Sequence, residues 1–311
     1  MRLHAISGVE REMNQEITRM KSSAKHSPLA SSYPVLDFDR SSQAEIASLR
    51  KTVLGKLDQE GIAVLPPLDV KDTIRLTQLL GLHFDTVMLD PWYNKGFGGL
   101  QDDYLAFFLD VIRQSGTVAD HIYFWGFPEI VAPFVERIPP PLQLTCWLTW
   151  YYKNNPSVIR GWRSSQNACL HISRPDAVLH PERFLTGRQL KLKEQGKLRY
   201  MPGPTSVLED APSDVVEEPL LVGFVGRKEQ TGHPSQKPKR VYDQLLQMSM
   251  SNGGTLLDPM AGSGTSGVVA KARGFRAILC DKSEEYTRLI ENRLSAQRVP
   301  IHVEIKRILE G

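Results

Sequence analysis

Between Phe84 and Arg293 short apolar runs alternate with longer segments in which apolar residues recur every three or four positions. Phe84–Leu89, His121–Trp125, Leu144–Tyr151, Thr255–Leu257 and Ala277–Cys280 read as strands, with Asn167–Ile172 as a further one. Helical spacing covers Asp102–Arg113, Glu129–Arg137, Lys239–Met250, Ser266–Ala272 and Glu284–Arg293. Repeated strand–helix units imply an α/β fold, a mostly parallel sheet covered by helices on both faces. Such a sheet binds its ligands at the carboxyl ends of the strands.

Two more helices precede this body. Ile46, Leu49, Val53, Leu54 and Leu57 mark one over Ser41–Leu57, and Asp69 is a natural N-cap for another over Val70–Leu80. The first 35 residues are polar and read as a flexible tail with one short helix near Glu10–Met20. Residues 1–60 are therefore expected to be a partly flexible N-terminal extension, and residues 61–311 the main domain. The segment 175–212 interrupts the alternation with proline, glycine and charge. Arg183, Arg188, Lys191, Lys193, Lys197 and Arg199 crowd into it opposite Glu194, which suits either a solvated insertion or an arm that contacts phosphates.

Composition excludes several classes. With 41% hydrophobic and 23% charged residues the chain is neither disordered nor fibrous. Its three cysteines, Cys146, Cys169 and Cys280, form no CxxC pair, so no zinc ribbon or disulfide framework is expected. His171, His180 and His233 lack metal-ligand spacing, and no metal is expected. The apolar runs are too short to span a membrane and no secretion signal is visible, so a soluble, cytoplasmic protein is expected.

Thr255–Thr265 runs from a strand through Asp258-Pro259-Met260-Ala261-Gly262-Ser263-Gly264 into a helix. Gly262 and Gly264 let backbone amides approach a ligand at a helix N-terminus. With Gly267 they satisfy GxGxxG, and Asp281 ends the next strand, so a nicotinamide dinucleotide must be weighed. Asp258 argues against it. A carboxylate there repels a pyrophosphate and attracts a ligand bearing ammonium and sulfonium groups, such as S-adenosylmethionine, whose ribose hydroxyls Asp281 could accept. The second constellation is Asp90-Pro91-Trp92-Tyr93, just past the Phe84–Leu89 strand. It combines a rim carboxylate, a free proline carbonyl and two aromatics able to stack on a base.

Together these motifs resemble those of the amino-group DNA methyltransferases, which make N6-methyladenine or N4-methylcytosine. Trp147–Pro156, Ser213–Pro219 and His233–Pro238 resemble further segments of that family, and the tetrapeptide preceding the glycine loop is the permuted order of its β class. Trp92 stands where the family has a second proline, and Met260 where it usually has phenylalanine. The resemblance implies a Rossmann-like S-adenosylmethionine-dependent fold. Asp90, Pro91, Trp92 and Tyr93 would then be catalytic. Asp258, Pro259, Met260, Ala261, Gly262, Gly264, Thr265 and Asp281 would hold the cofactor, with Ser235 or Lys237 reaching its carboxylate. Residues 175–212 would be the target-recognition insert. It also implies base flipping, double-stranded DNA as partner, and association with the nucleoid. Because the insert is short, a homodimer or partner subunit is expected to help recognition. Asp90, where cytosine enzymes more often carry serine, favours adenine. N4-cytosine, RNA and a non-catalytic nucleic-acid-binding homologue remain the alternatives.

Overall fold

The strands of the central sheet are apolar at successive positions because both faces are covered. In the computed structural model, Val87 and Leu89 point to one core while Met88 between them points to the other. The same alternation separates Ile122 and Phe124 from Tyr123 and Trp125, and Leu257 from Leu256. The structure describes residues 40–94, 101–152, 158–159, 162–208, 229–231, 233, 235–301 and 309. The expected tail helix, Ser213–Pro219 and residues 153–156 lie outside the described residues.

The chain opens with α1 (Arg40–Glu60), β1 (Ile62–Val64), α2 (Val70–Leu79), β2 (Phe84–Leu89), α3 (Tyr104–Val118), β3 (Ala119–Gly126) and α4 (Pro128–Val135). Next come β4 (Gln143–Tyr151), a small hairpin of β5 (Val158–Ile159) and β6 (Trp162–Arg163), and β7 (Gln166–Ser173). A 3-10 turn at Pro181–Phe184, α5 (Gly187–Glu194) and β8 (Val207–Leu208) follow. The last part holds α6 (Lys239–Ser249), β9 (Thr255–Asp258), α7 (Thr265–Arg273), β10 (Arg276–Leu279) and α8 (Glu284–Leu294).

Among the described residues the main sheet has eight strands in the order β1-β10-β9-β2-β3-β7-β4-β8, and only β7 runs against the others. Helices α1 to α4 pack on one face, and α6 to α8 on the other. After β2 the chain leaves over the first face through α3 to β3; after β9 it leaves over the second through α7 to β10. The loops following these two neighbouring strands therefore diverge, and the crevice between them is the topological switch point of the sheet.

Two expectations need correction. Helix α1 is not an extension: Leu49, Val53 and Leu57 are buried in the first core, and the compact unit begins at Arg40 rather than at residue 61. At roughly 1.5–3 kcal/mol per buried side chain, before the entropy of ordering them, these three fix the helix to the core. The insert is also more structured than its composition suggests. Thr186 caps α5 in a reciprocal capping box with Gln189. Leu185 and Leu208 are buried, and β8 adds to the sheet edge through Thr149↔Val207 and Trp150↔Leu208.

Arg183 is not a free phosphate ligand. Its guanidinium donates to the Gln247 and Met250 carbonyls at 3.1 and 2.6 Å and to Asn252 Oδ1 at 2.9 Å. It thus closes the carboxyl end of α6, where unpaired carbonyls and the helix dipole favour a cation. Arg183→Ala should cost about 1.5–3 kcal/mol, the usual worth of hydrogen bonds from a charged donor, read as a lower midpoint in chemical denaturation.

Candidate active site

Parallel pairing of Thr86 with Leu256 and of Val87 with Leu257 sets the carboxyl ends of β2 and β9 side by side. Asp258, the last residue of β9, is buried beneath the glycine turn. Ser266 Oγ donates to its Oδ2 at 2.5 Å and the Met260 N–H to its Oδ1 at 3.1 Å. Burial, helped by the nearby charges of Asp90 and Asp281, pushes its carboxyl up to about 7 despite those bonds. Asp281 accepts the Gly262 N–H on Oδ2 and the Ser283 N–H on Oδ1, each at 2.9 Å. The carboxylates expected to meet a ligand therefore also hold their own loops in shape.

Gly262 has φ +50°, and a Cβ there would lie 2.9 Å from His233 Nε2. Gly267 serves packing: a Cβ would sit 2.4 Å from Leu279 Cδ1, so α7 lies directly on β10. Pro259, Ala261 and Thr265 are buried in the turn, and Met260 packs at the edge of the first core. The His233 ring rests on Tyr286, 4.5 Å between centroids. Both side chains line a cleft of about 570 Å³ against α8. Ser235 is exposed, and its backbone N–H donates to His233 Nδ1 at 3.3 Å.

Asp90 follows β2 with its side chain 16% exposed. Lys237, 147 residues further along, donates to both of its oxygens at 2.5 Å and to the Tyr93 hydroxyl at 2.7 Å. The Tyr93 and Tyr242 hydroxyls also donate to Asp90, each at 3.2 Å. Burial, and then the Asp90 charge, raises both phenols, so they stay protonated donors. The expected role of Lys237 at a cofactor carboxylate does not match this placement. An ammonium has three N–H donors, and all three are engaged within the Asp90 cluster.

Trp92 is likewise not a stacking platform. It packs edge-on against Tyr104 and Phe108, with centroids 5.7 and 5.9 Å apart, and Lys282 lies 5.3 Å from its ring centre. Pro91 is buried, and Tyr93 meets Phe127 edge-on at 4.9 Å. Of the basic residues in the insert, Arg188, Lys191, Lys193, Lys197 and Arg199 are exposed. His121 and His171 form a buried pair, Nδ1 to Nε2 at 3.1 Å, and burial pushes His171 down to about 3. Burial pushes the Cys280 thiol up to about 12 and raises Cys169, so neither is a ready nucleophile.

Tyr242, Trp125 and Ser266 belong to this site but were not singled out from sequence. Tyr242 lies in the apolar stripe of α6 with Val241, Leu245 and Leu246, where an aromatic reads as core. Only its hydroxyl, at the end of the buried ring, reaches the carboxylate. Trp125 and Ser266 carry no motif of their own.

A switch-point crevice with a glycine turn on one strand and an acidic tetrapeptide on its neighbour is the arrangement of a Rossmann-like group-transfer enzyme. Residues 84–292 match the N6/N4 DNA methylase family, and the chain belongs to it. It is 26% identical over 229 residues to the Type II methyltransferase M.HpaI of Haemophilus parainfluenzae, covering 68% of each chain. Over a shorter stretch of 65 residues it is 43% identical to M2.DpnII of Streptococcus pneumoniae, 21% of this chain and 24% of that one. The crystal structure of the M1.HpyAVI–SAM complex superposes with a TM-score of 0.53 at 16% identity, over 75% of this chain and 98% of that one. The cytosine-N4-specific PvuII DNA methyltransferase does so with 0.50 at 15% identity, over 81% and 95%. The fold is that of the S-adenosylmethionine-dependent DNA methyltransferases.

Because the carboxyl of Asp258 is raised in the folded protein, that state holds a proton the unfolded chain releases. The group therefore costs stability as pH rises from about 4 to 7. Asp258→Asn keeps the acceptor without the charge, so its stability relative to the wild type should improve between pH 5 and pH 8. Denaturation midpoints that move in parallel at the two pH values would refute this.

Proposed function

We propose that the chain transfers the methyl group of S-adenosylmethionine to the N6 amine of adenine in double-stranded DNA, with Asp90 accepting the amine. The observation that carries this is the tetrapeptide of β2 set beside the glycine turn of β9. S-adenosylmethionine is the cofactor, and when bound it supplies an electrophilic methyl group on a cationic sulfur. The chain's residues fit it: Asp281 lies at the turn, a cationic ligand would draw Asp258, which burial holds up to about 7, into its charged form, and the cradle closes where a Cβ on Gly262 would strike His233. Asp258 to Gly262, Gly264, Thr265 and Asp281 would hold it, and exposed Ser235 is tied through its backbone N–H to His233, which faces that turn.

The exocyclic amine of adenine is a poor nucleophile because its lone pair is delocalised into the ring. Hydrogen bonds from the amine to the Asp90 carboxylate and the Pro91 carbonyl would favour a more tetrahedral nitrogen with its lone pair localised for in-line transfer. The electron pair of the broken sulfur–methyl bond would stay on sulfur, leaving a neutral thioether, and the surplus amine proton would leave along the hydrogen bond to Asp90. Most of the acceleration comes from positioning. All four lone-pair directions of Asp90 are occupied in this structure, so the amine takes the place of a tyrosine hydroxyl, the longer contacts at 3.2 Å. Tyr93, released from Asp90, stacks on the flipped base. Trp92 supports the loop from below. A second copy or a partner subunit completes target recognition beyond the short insert.

Mass spectrometry of nucleosides from treated DNA tests the assignment. N6-methyladenine is expected, and N4-methylcytosine would overturn the adenine choice while leaving the family chemistry intact. Asp90→Ala should lower turnover by at least about 100-fold with little change in cofactor affinity. Wild-type turnover in that variant would remove Asp90 from the mechanism.

Arg188, Lys191, Lys193, Lys197 and Arg199 contact backbone phosphates in this proposal. Neutralising two of them should flatten the dependence of log K on log[salt] by about 0.9 per lost contact on duplex DNA. Arg183→Ala should leave that slope unchanged, and an unchanged slope in the double variant would make the five a solvated face.

A further inference from the structure

We infer that Lys237 is a positioning residue that acts on the target base only through Asp90, holding its carboxylate in place rather than binding the cofactor. This rests on the proposed role of Asp90. The Lys237 side chain is 2% exposed, whereas that of Asp90 is 16% exposed, so the ammonium lies behind the carboxylate and not in front of it. Its contacts to the two oxygens are 2.5 Å, against 3.2 Å for the tyrosine hydroxyls. An incoming amine displaces the neutral, longer partners and leaves the charged, shorter one. The Trp125 ring lies over the ammonium at 4.8 Å from Nζ, and the Tyr93 hydroxyl, 2.7 Å away, takes its third N–H, so both restrict its movement.

A carboxylate this enclosed is unfavourable without a cation, and with one it stays an acceptor aimed in a single direction. The approach of Lys237 is set by Pro238 and α6, whose far end is tied down by Arg183 and by Ser249 to Thr86 at 2.8 Å. The base-accepting geometry of β2 is thus referenced to a helix that follows it by well over a hundred residues.

The test compares Lys237→Met with the wild type in single-turnover methyl transfer and in calorimetric titration with S-adenosylmethionine. Turnover at saturating DNA and cofactor should fall about 100-fold, while the cofactor Kd stays within about threefold. In an Asp90→Ala background Lys237→Met should cause no further loss, because the path through Asp90 is already cut. A cofactor Kd raised tenfold or more, with turnover restored by excess cofactor, overturns the inference in favour of a cofactor ligand. Independent, multiplying losses in the double variant overturn it too.

If Lys237→Met does not fold, Lys237→Arg keeps a cation there and should bind cofactor as the wild type does; weakened binding would count against the inference. The ion pair can also be read without activity. The 15N signal of the Lys237 ammonium should be protected in the wild type and lost in Asp90→Ala, and its absence from the wild type refutes the inference. A wild type that shows the signal but methylates no nucleoside refutes the proposed function instead.

Discussion

The parallel pairing of β2 with β9 is the contact on which the remaining features depend. Thr86 and Val87 lie in register with Leu256 and Leu257, so the turns that follow are neighbours at the carboxyl ends of the strands. Because α3 and α7 pack on opposite faces, the chain leaves these two strands towards opposite sides of the sheet. A slip of one residue would exchange the core-facing sides of β2, placing Met88 where Val87 and Leu89 pack. Two apolar cores therefore enforce the register, and the register enforces the distance between the acidic tetrapeptide and the glycine turn.

Charge is concentrated where that pairing ends. Asp90, Asp258 and Asp281 are close enough to influence one another, and burial already makes Asp258 reluctant to ionise. The protein manages the cluster in two ways. Asp258 and Asp281 are satisfied by backbone and hydroxyl donors from their own turns. Asp90 instead receives a buried lysine from the segment before α6. The distinction is chemical: two carboxylates are satisfied by neutral donors of their own turns, and the third is paired with a cation.

The family's tetrapeptide carries a second proline where this chain has Trp92, and the structure shows how the change is absorbed. The indole turns into the core against Tyr104 and Phe108, while the Tyr104 hydroxyl donates to the Trp92 carbonyl at 3.1 Å. Asp90 and Tyr93 keep their places at the rim. The insert shows a comparable division of labour, with Arg183 turned inward onto α6 and its five basic companions left outside.

Much of this was legible in the chain itself. Apolar runs and helical spacing marked the main strands and helices, because a sheet buried on both faces imposes continuous apolar runs on its strands and a stripe on its helices. The Asp90 tetrapeptide and the Asp258 glycine turn were legible because backbone approach and strand-end carboxylates demand particular residues at fixed local spacing. Short elements such as β1 and β8 escaped notice: two or three residues carry no period, and only pairing with β10 and β4 makes them strands. What lies beyond local spacing belonged to the tertiary structure alone. Lys237 sits on Asp90, Tyr242 completes its donors, and Arg183 closes a helix, all through contacts between residues 64 to 152 positions apart. A side chain's partner across such a separation is chosen by packing, and packing leaves no pattern along the chain.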